Sequence, residues 1–318
     1  MRLDVLATLT IFGWIRFGVA WAFIIWGIRE LIIDFYRHKC KKAYFRGDVD
    51  RMEKAIGKIL KIKPNDFYGL GCKGLVYDIK GQYDKIQEIG DRLLEIANNK
   101  KKKEWQAYAL NFLSTLYLKC CDLEKAEQMV NDALKIAEKS NDKQQISHSY
   151  DSLGLIYTER EEWEKAEEMF DKAIKLFPKK DVRELAKIYC NFGISYKLRG
   201  DLAKAEQMLN KALEINEKYS LLGQLSANYA EIGTVCVLKG EIEKGQELYE
   251  KSLAISESKG MIKITANQYC NLGLLYEKMR NKEKAKEYWV KARGLYGKME
   301  LTSEVERIQQ HIDDSELG

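Results

Sequence analysis

Three histidines (His38, His148, His311) and seven cysteines are the side chains best suited to nucleophilic or metal chemistry in this 318-residue chain. The histidines lie far apart in sequence, which supports neither a metal cluster nor a catalytic dyad. Cys120-Cys121 is the one vicinal pair, without the partners that a redox or zinc site needs, and reads as an ordinary turn. Cys190 and Cys270 occupy one recurring register, as small, partly buried residues. No phosphate-cradling glycine loop, nucleophile elbow or zincin motif appears. The expectation is a protein that is not an enzyme, with no cofactor and no metal. Cysteines without framework spacing fit a reducing compartment.

The chain is instead built from repeated pieces. SLGLIY (152–157), NFGISY (191–196), EIGTVC (231–236) and NLGLLY (271–276) place Gly154, Gly193, Gly233 and Gly273 at spacings of 39, 40 and 40. A second piece follows each: KAEEMF from Lys165, KAEQML from Lys204, KGQELY from Lys244 and KAKEYW from Lys284. Earlier copies are CKGLVY (72–77) and FLSTLY (112–117), the latter followed by KAEQMV from Lys125, and YFRGDVDRMEKA (44–55) begins the series. Each unit reads as two amphipathic helices. The first carries a recurring Tyr (Tyr77, Tyr117, Tyr157, Tyr196, Tyr276), and the second a small residue (Ala126, Ala166, Ala205, Gly245, Ala285) where neighbours approach closely. Gly81, Gly200 and Gly240 fall where a helix end needs positive φ. The only two prolines, Pro64 and Pro178, fall at ends of second helices. Ser303 and Glu306 have capping-box spacing for a last, solvent-facing helix.

This pattern resembles the tetratricopeptide repeat over about residues 34–298, with a period of 39–40 in place of the usual ~34. It is similar to the long-repeat branch of kinesin light chains, the Leu-Gly-Asn polarity adaptors and bacterial peptide-receiving regulators. The resemblance implies an all-α, right-handed superhelix of about seven helix pairs over 34–298, with a capping helix and tail over 299–318. It also implies a concave face that receives an extended peptide or a partner helix. Carried over repeat by repeat, the partner-binding positions are Tyr108, Asn111, His148, Asp151, Lys187, Asn191, Lys197, Asn267, Asn271 and Glu277. Asn191 and Asn271 stand two residues before the first-helix glycine, where an Asn of the long-repeat branch contacts the ligand backbone. Cys72, Phe112, Ser152 and Glu231 stand at that place elsewhere, so the Asn ladder is incomplete, and the clamp that seizes C-terminal carboxylates is absent. A generic solvated groove accounts for these residues equally well.

Charge and hydropathy single out the first residues. The formal net charge is +5, and residues 1–46 hold eight Arg/Lys against three acids, so the repeats are neutral and offer no basic stripe to nucleic acid. Lys100–Lys103 is one isolated loop run. Ala7–Ile28 holds a single charge, Arg16, and as a helix is about 33 Å long, enough for a hydrocarbon core of about 30 Å. A central Arg costs about 2.5–3.5 kcal/mol on insertion, against about 3–6 kcal/mol returned by the ten Leu, Ile, Phe and Val of that window. Trp14, Trp21 and Trp26 leave no clean polar face. Residues 1–33 are therefore expected to be a single-pass membrane anchor. The basic residues after the span place the repeats in the cytoplasm and meet anionic headgroups. Arg16 either snorkels or, with Gly18-x-x-x-Ala22, packs on another subunit. The reading is a membrane-anchored, non-enzymatic scaffold. The alternatives are an accessory subunit of a membrane enzyme or transport complex, and a peptide-sensing regulator.

Overall fold

The computed structural model describes residues 25–46, 48–178, 182–299 and 301–317. Among the described residues the chain is fifteen helices and no strand. Helix α1 covers residues 25–45. It is followed by α2 (Val49–Ile62), α3 (Phe67–Ile79), α4 (Tyr83–Asn99), α5 (Lys103–Lys119), α6 (Leu123–Ser140), α7 (Lys143–Glu159), α8 (Trp163–Leu176), α9 (Leu185–Arg199), α10 (Leu202–Lys218), α11 (Leu222–Leu238), α12 (Ile242–Ser258), α13 (Ile262–Lys278), α14 (Lys282–Lys298) and α15 (Thr302–Leu317). Odd and even helices pair into seven hairpins, and α15 closes the series.

Each hairpin turns by the same chemistry. The residue after the odd helix sits in the left-handed region at Gly81, Cys121, Glu161, Gly200, Gly240 and Arg280, with φ between 58° and 90°. The next N–H then reaches back to the carbonyl of the recurring Tyr, as Gln82 does to Tyr77 (2.8 Å), Asp122 to Tyr117 (2.9 Å) and Asn281 to Tyr276 (2.9 Å). This is the six-to-one bond of a Schellman end. Cys121, Glu161 and Arg280 adopt there, at about 1–2 kcal/mol, a conformation that glycine takes freely. Asp48, Asp66, Asp122, Asp142, Asp201 and Asn281 cap the helices that follow them by accepting backbone N–H groups.

The repeated glycine is a packing device. A Cβ at Gly154, Gly193, Gly233 or Gly273 would meet Phe170, Leu209, Tyr249 or Trp289 at 2.7–2.9 Å. Each obstacle lies sixteen residues on, in the partner helix, so the glycine admits a large side chain and the hairpin closes around it. The recurring Lys does a second job. Its ammonium stands 5.0–5.5 Å from the ring centre of the Tyr in the same hairpin, for Lys85–Tyr77, Lys125–Tyr117, Lys165–Tyr157, Lys204–Tyr196 and Lys284–Tyr276. At such solvated sites the contact is worth about 0.5–1 kcal/mol.

Two expectations change at the ends. Helix α15 begins at Thr302, so Ser303 lies inside the first turn and not at the cap. Its Ile308 and Ile312 are buried with Trp289 and Tyr296, and the helix seals the last hairpin. At the other end, α1 carries the last residues of the expected span, 25–28, straight into the first hairpin. Trp14, Arg16 and Trp21 lie outside the described residues. Among the described residues no helix is long and apolar enough to cross a membrane.

The odd helices touch one another in succession from α5 to α13, and α13 also touches α3. The array thus curves back on itself. The Lys263 ammonium donates to the Tyr83 hydroxyl and stands 4.7 Å from the centre of its ring. Gly81 faces Met299 and Leu301, and Met261, Ile255 and Ile264 pack with Cys40, Met52 and Val76. The first two hairpins therefore meet the last two, with the odd helices in contact along the inner side of the curve.

Candidate functional site

The polar residues of the odd helices are largely engaged with one another across neighbouring hairpins. Asn111 of α5 is buried; its amide donates to Gln145 (3.2 Å) and its oxygen accepts from the Ser149 hydroxyl (3.0 Å). Asn191 of α9 donates to both oxygens of Asp151 of α7 (3.0 and 3.1 Å). Lys197 of α9 pairs with Glu231 of α11 at 2.6 Å, and Thr158 donates to Ser195 at 2.7 Å. At the far end Asn271 donates to Gln268 of its own helix (3.3 Å), Asn267 accepts from the Tyr296 hydroxyl, and Glu277 accepts from the Trp289 indole (2.8 Å). Of the two amides that the resemblance offers to a ligand backbone, Asn191 is in this structure used to join repeats, and Asn271 pairs within its own helix. That distinction depends on side-chain pairing between hairpins, which a repeat pattern does not contain.

His148, Asp151, Lys187 and Asn191 form one cluster. Burial holds the His148 imidazole neutral, its pKa pushed down to about 4, and the nearby Lys187 ammonium acts in the same direction. Its ring stands edge-on to Phe177 at 6.0 Å. Asp151 is 3% exposed, and burial raises its pKa above the usual carboxylate range, with Lys187 and the Asn191 amide opposing. Lys187 itself is exposed. Tyr108 lies edge-on to Phe67 (5.6 Å), with its hydroxyl 3.0 Å from where a Cβ of Gly71 would stand. Burial pushes that hydroxyl above its ordinary range.

Sequence reasoning missed six residues that the curvature brings within electrostatic reach of one another: Tyr44, Asp78, Lys119, Glu184, Gln224 and Lys263. Lys119 pairs with Asp78. Burial lowers the Lys119 pKa, against the pull of Asp78, and the ammonium groups of Lys263 and Lys187 lower it further. Three lysines from three hairpins thus act on one region. Each occupies an odd helix near a position already singled out, but only the closed curve makes neighbours of residues 119 and 263. Burial pushes the Cys190 thiol up to about 12 and that of Cys270 to about 11, away from activation, whereas a hydrogen bond with Cys40 lowers the Cys72 thiol against the effect of burial. Cys120 and Cys121 are exposed at the α5–α6 turn, as an ordinary turn requires.

Sequence profiles described as tetratricopeptide repeat match residues 69–139, 142–218 and 267–292, together more than half of the chain. The chain belongs to the tetratricopeptide repeat family. No curated protein matches it at a significant level. Among solved structures, a Rap protein complexed with competence and sporulation factor is similar with a TM-score of 0.65 and 12% identity, over 91% of this chain and 86% of that one. The signal-transduction ATPase with numerous domains from Pyrococcus horikoshii, which has a tetratricopeptide repeat sensor, gives 0.59 and 17%, over 91% of this chain and 47% of that one. BtubC from P. vanneervenii gives 0.52 and 20%, over 70% and 91%. At these identities the likeness is one of fold.

Proposed function

We propose that this protein is a non-enzymatic scaffold whose inner side holds an extended, acidic segment of a partner protein, and whose first residues fix it to a membrane with the repeats in the cytoplasm. The observation that carries the reading is the gathering of Lys119, Lys187 and Lys263 toward one region, where burial lowers the Lys119 pKa and the other two ammonium groups add to it, against the pull of Asp78. Like charges drawn together oppose folding, and an anionic ligand offsets that repulsion. A family fold suited to protein interaction supports a binding role over a catalytic one, and so does the similar Rap protein seen with its bound factor. A rigid curved wall limits the ordering needed on binding to that of the segment.

Support for the membrane part comes from α1. Ile25, Trp26, Ile28, Leu31 and Phe35 are exposed there, Leu31 by 70%, directly after the apolar sequence Ala7–Ile24. An uncovered apolar face that continues an apolar run fits entry into a bilayer. Confinement to a surface raises the effective concentration of anchor and partner together.

The test is affinity capture from the membrane fraction with the full chain, comparing Lys187→Glu with Lys187→Arg. The glutamate variant is expected to lose its partner at least tenfold and the arginine variant to keep it; an identical partner set with both overturns the reading. Replacing residues 7–28 by an unrelated span separates the scaffold from an accessory subunit, because only a subunit that docks through its span fails after the exchange.

A further inference from the structure

We infer that the edge of the curve carrying the α2–α3 and α4–α5 turns rests on an anionic bilayer surface, through Lys58, Lys61 and Lys100–Lys103. This deepens the membrane part of the proposed function and rests on it. Helix α1 starts at that edge. The Arg29 guanidinium donates to the Ile62 carbonyl at the end of α2, Lys63 pairs with Glu30 at 3.1 Å, and Arg37 pairs with Asp66. From the α2–α3 turn the contacts run on to the α4–α5 turn. The Phe67 ring, at the start of α3, stacks on Trp105 of α5 with centres 4.4 Å apart, and the Lys102 ammonium stands 4.2 Å from the Trp105 ring centre. Lys102 belongs to the run Lys100–Lys103, all four exposed, with Glu95 and Glu104 the flanking acids. A lysine run that reads from sequence as an isolated loop thus shares an edge with the point where α1 begins.

A second observation points to an anion outside the chain. Lysines beside the turns of the opposite edge are held by the protein's own acids, as Lys80 is by Glu53 (2.7 Å), Lys125 by Asp122 (2.8 Å) and Lys239 by Glu241 (2.8 Å). Among the described residues no carboxylate pairs with Lys58, Lys61 or any of Lys100–Lys103. Crowded ammonium groups without counter-charges repel one another, and a surface of fixed negative charge relieves that. Ile28, Leu31 and Ile32 are exposed on the first turns of α1, so the neighbouring surface is apolar, which suits a bilayer and not a nucleic acid. The arrangement also sets aside the basic residues that follow the apolar run in sequence. Arg37 is engaged by Asp34 and Asp66. At about 1.5 Å per residue along α1, Lys42 and Arg46 stand about 20–25 Å beyond Arg29. That exceeds two screening lengths of about 8 Å at physiological salt. A bilayer entered at the start of α1 therefore faces the turns and not the far end of the helix.

The test is lysine acetylation of the full chain by a membrane-impermeant ester, read residue by residue by mass spectrometry. The chain is reconstituted into phosphatidylcholine vesicles and into vesicles with about 30% phosphatidylserine. Lys61 and Lys100–Lys103 are expected to react at least threefold more slowly where phosphatidylserine is present, while Lys125 and Lys239 of the opposite edge react alike in both. Salt at about 1 M, which shortens the screening length to about 3 Å, should abolish the difference. Substituting the exposed run by Lys100→Gln, Lys101→Gln, Lys102→Gln and Lys103→Gln should lift the edge and release Lys58 and Lys61 too. Labelling that ignores phosphatidylserine, or protection that extends equally to Lys125 and Lys239, overturns the inference. Flotation with the two kinds of vesicle separates it from the anchor. A chain that floats with phosphatidylcholine alone but shows no phosphatidylserine-dependent protection keeps the anchor and loses the basic edge. One that floats only with phosphatidylserine keeps the edge and loses the span; one that floats with neither loses both.

Discussion

Helices α1 and α9 each begin a hairpin, and they dispose of their apolar residues in opposite ways. Helix α9 has a hairpin on either side, and its Ile188, Phe192 and Tyr196 are all buried. Helix α1 has no described hairpin before it, and Trp26 and Leu31 remain 61% and 70% exposed over its first turns. Its last turn is partly buried: Cys40 and Ala43 pack with Val49 and Met52 of the same hairpin, and Phe45 meets Arg183 from the segment before α9. Repeats of one pattern therefore do not share one environment. In a solenoid each unit relies on its neighbours for burial, so position in the array decides whether the same kind of face becomes core or surface.

The contrast is broken or sharpened most strongly at two glycines. Gly193 of α9 faces Leu209 and the Ala205 carbonyl, whereas a Cβ at Gly27 of α1 meets nothing within 4 Å. Gly193→Trp is expected to destabilise by at least about 4 kcal/mol, and Gly27→Trp by less than about 0.5 kcal/mol, since surface substitutions seldom do more. Thermal unfolding of the two variants checks this, and similar melting points would show that the seam around α9 is not closed as described.

Acidification probes the wall that α7 shares with α9. His148 has a depressed folded pKa, so its contribution is complete above the unfolded value and is lost as the pH falls toward about 4. The loss amounts to about 3 kcal/mol. His148→Phe is expected to flatten the melting temperature between pH 6.5 and 4.5. Asp151 acts with the opposite sign. Its folded pKa is raised, so its contribution is present at low pH and declines as the pH climbs through that raised value. Asp151→Asn keeps an acceptor for Asn191 and removes a buried charge, so stability at pH 7 should rise by about 1–2 kcal/mol. A drop at pH 7 would mean that Lys187 compensates the carboxylate fully.

The smallest effect isolates the backbone. Gly200, at the end of α9, has φ 90° and open space where a Cβ would stand. Gly200→Ala should therefore lose about 1 kcal/mol from conformation alone. Equilibrium denaturation measures it, and a neutral outcome would show that the turn tolerates a relaxed φ.

Much of this molecule is legible in its sequence because its determinants are local. Hairpin count and turn positions follow from spacing within one unit, as Tyr77, Gly81 and Lys85 or Tyr196, Gly200 and Lys204 illustrate. The obstacle facing Gly154, Gly193, Gly233 and Gly273 lies a fixed sixteen residues on, for the same reason. The inner wall is different. The resemblance offers Asn111 and Asn191 to a partner, but in the structure the two residues pair with Gln145, Ser149 and Asp151, because the rise between hairpins sets those side chains within hydrogen-bond reach. Tyr44 is legible only as the first residue of the 44–55 copy, and nothing in that copy brings it near Glu184 or Gln224.

The amino-acid order alone determined that this chain would form stacked helical hairpins with an apolar, basic leader, because periodicity and turn chemistry act over a few residues. The tertiary structure decided which polar groups face one another and that the first hairpins meet the last. Curvature accumulates from small rotations between neighbours, and only their sum brings Lys263 to Tyr83 and Phe45 to Arg183.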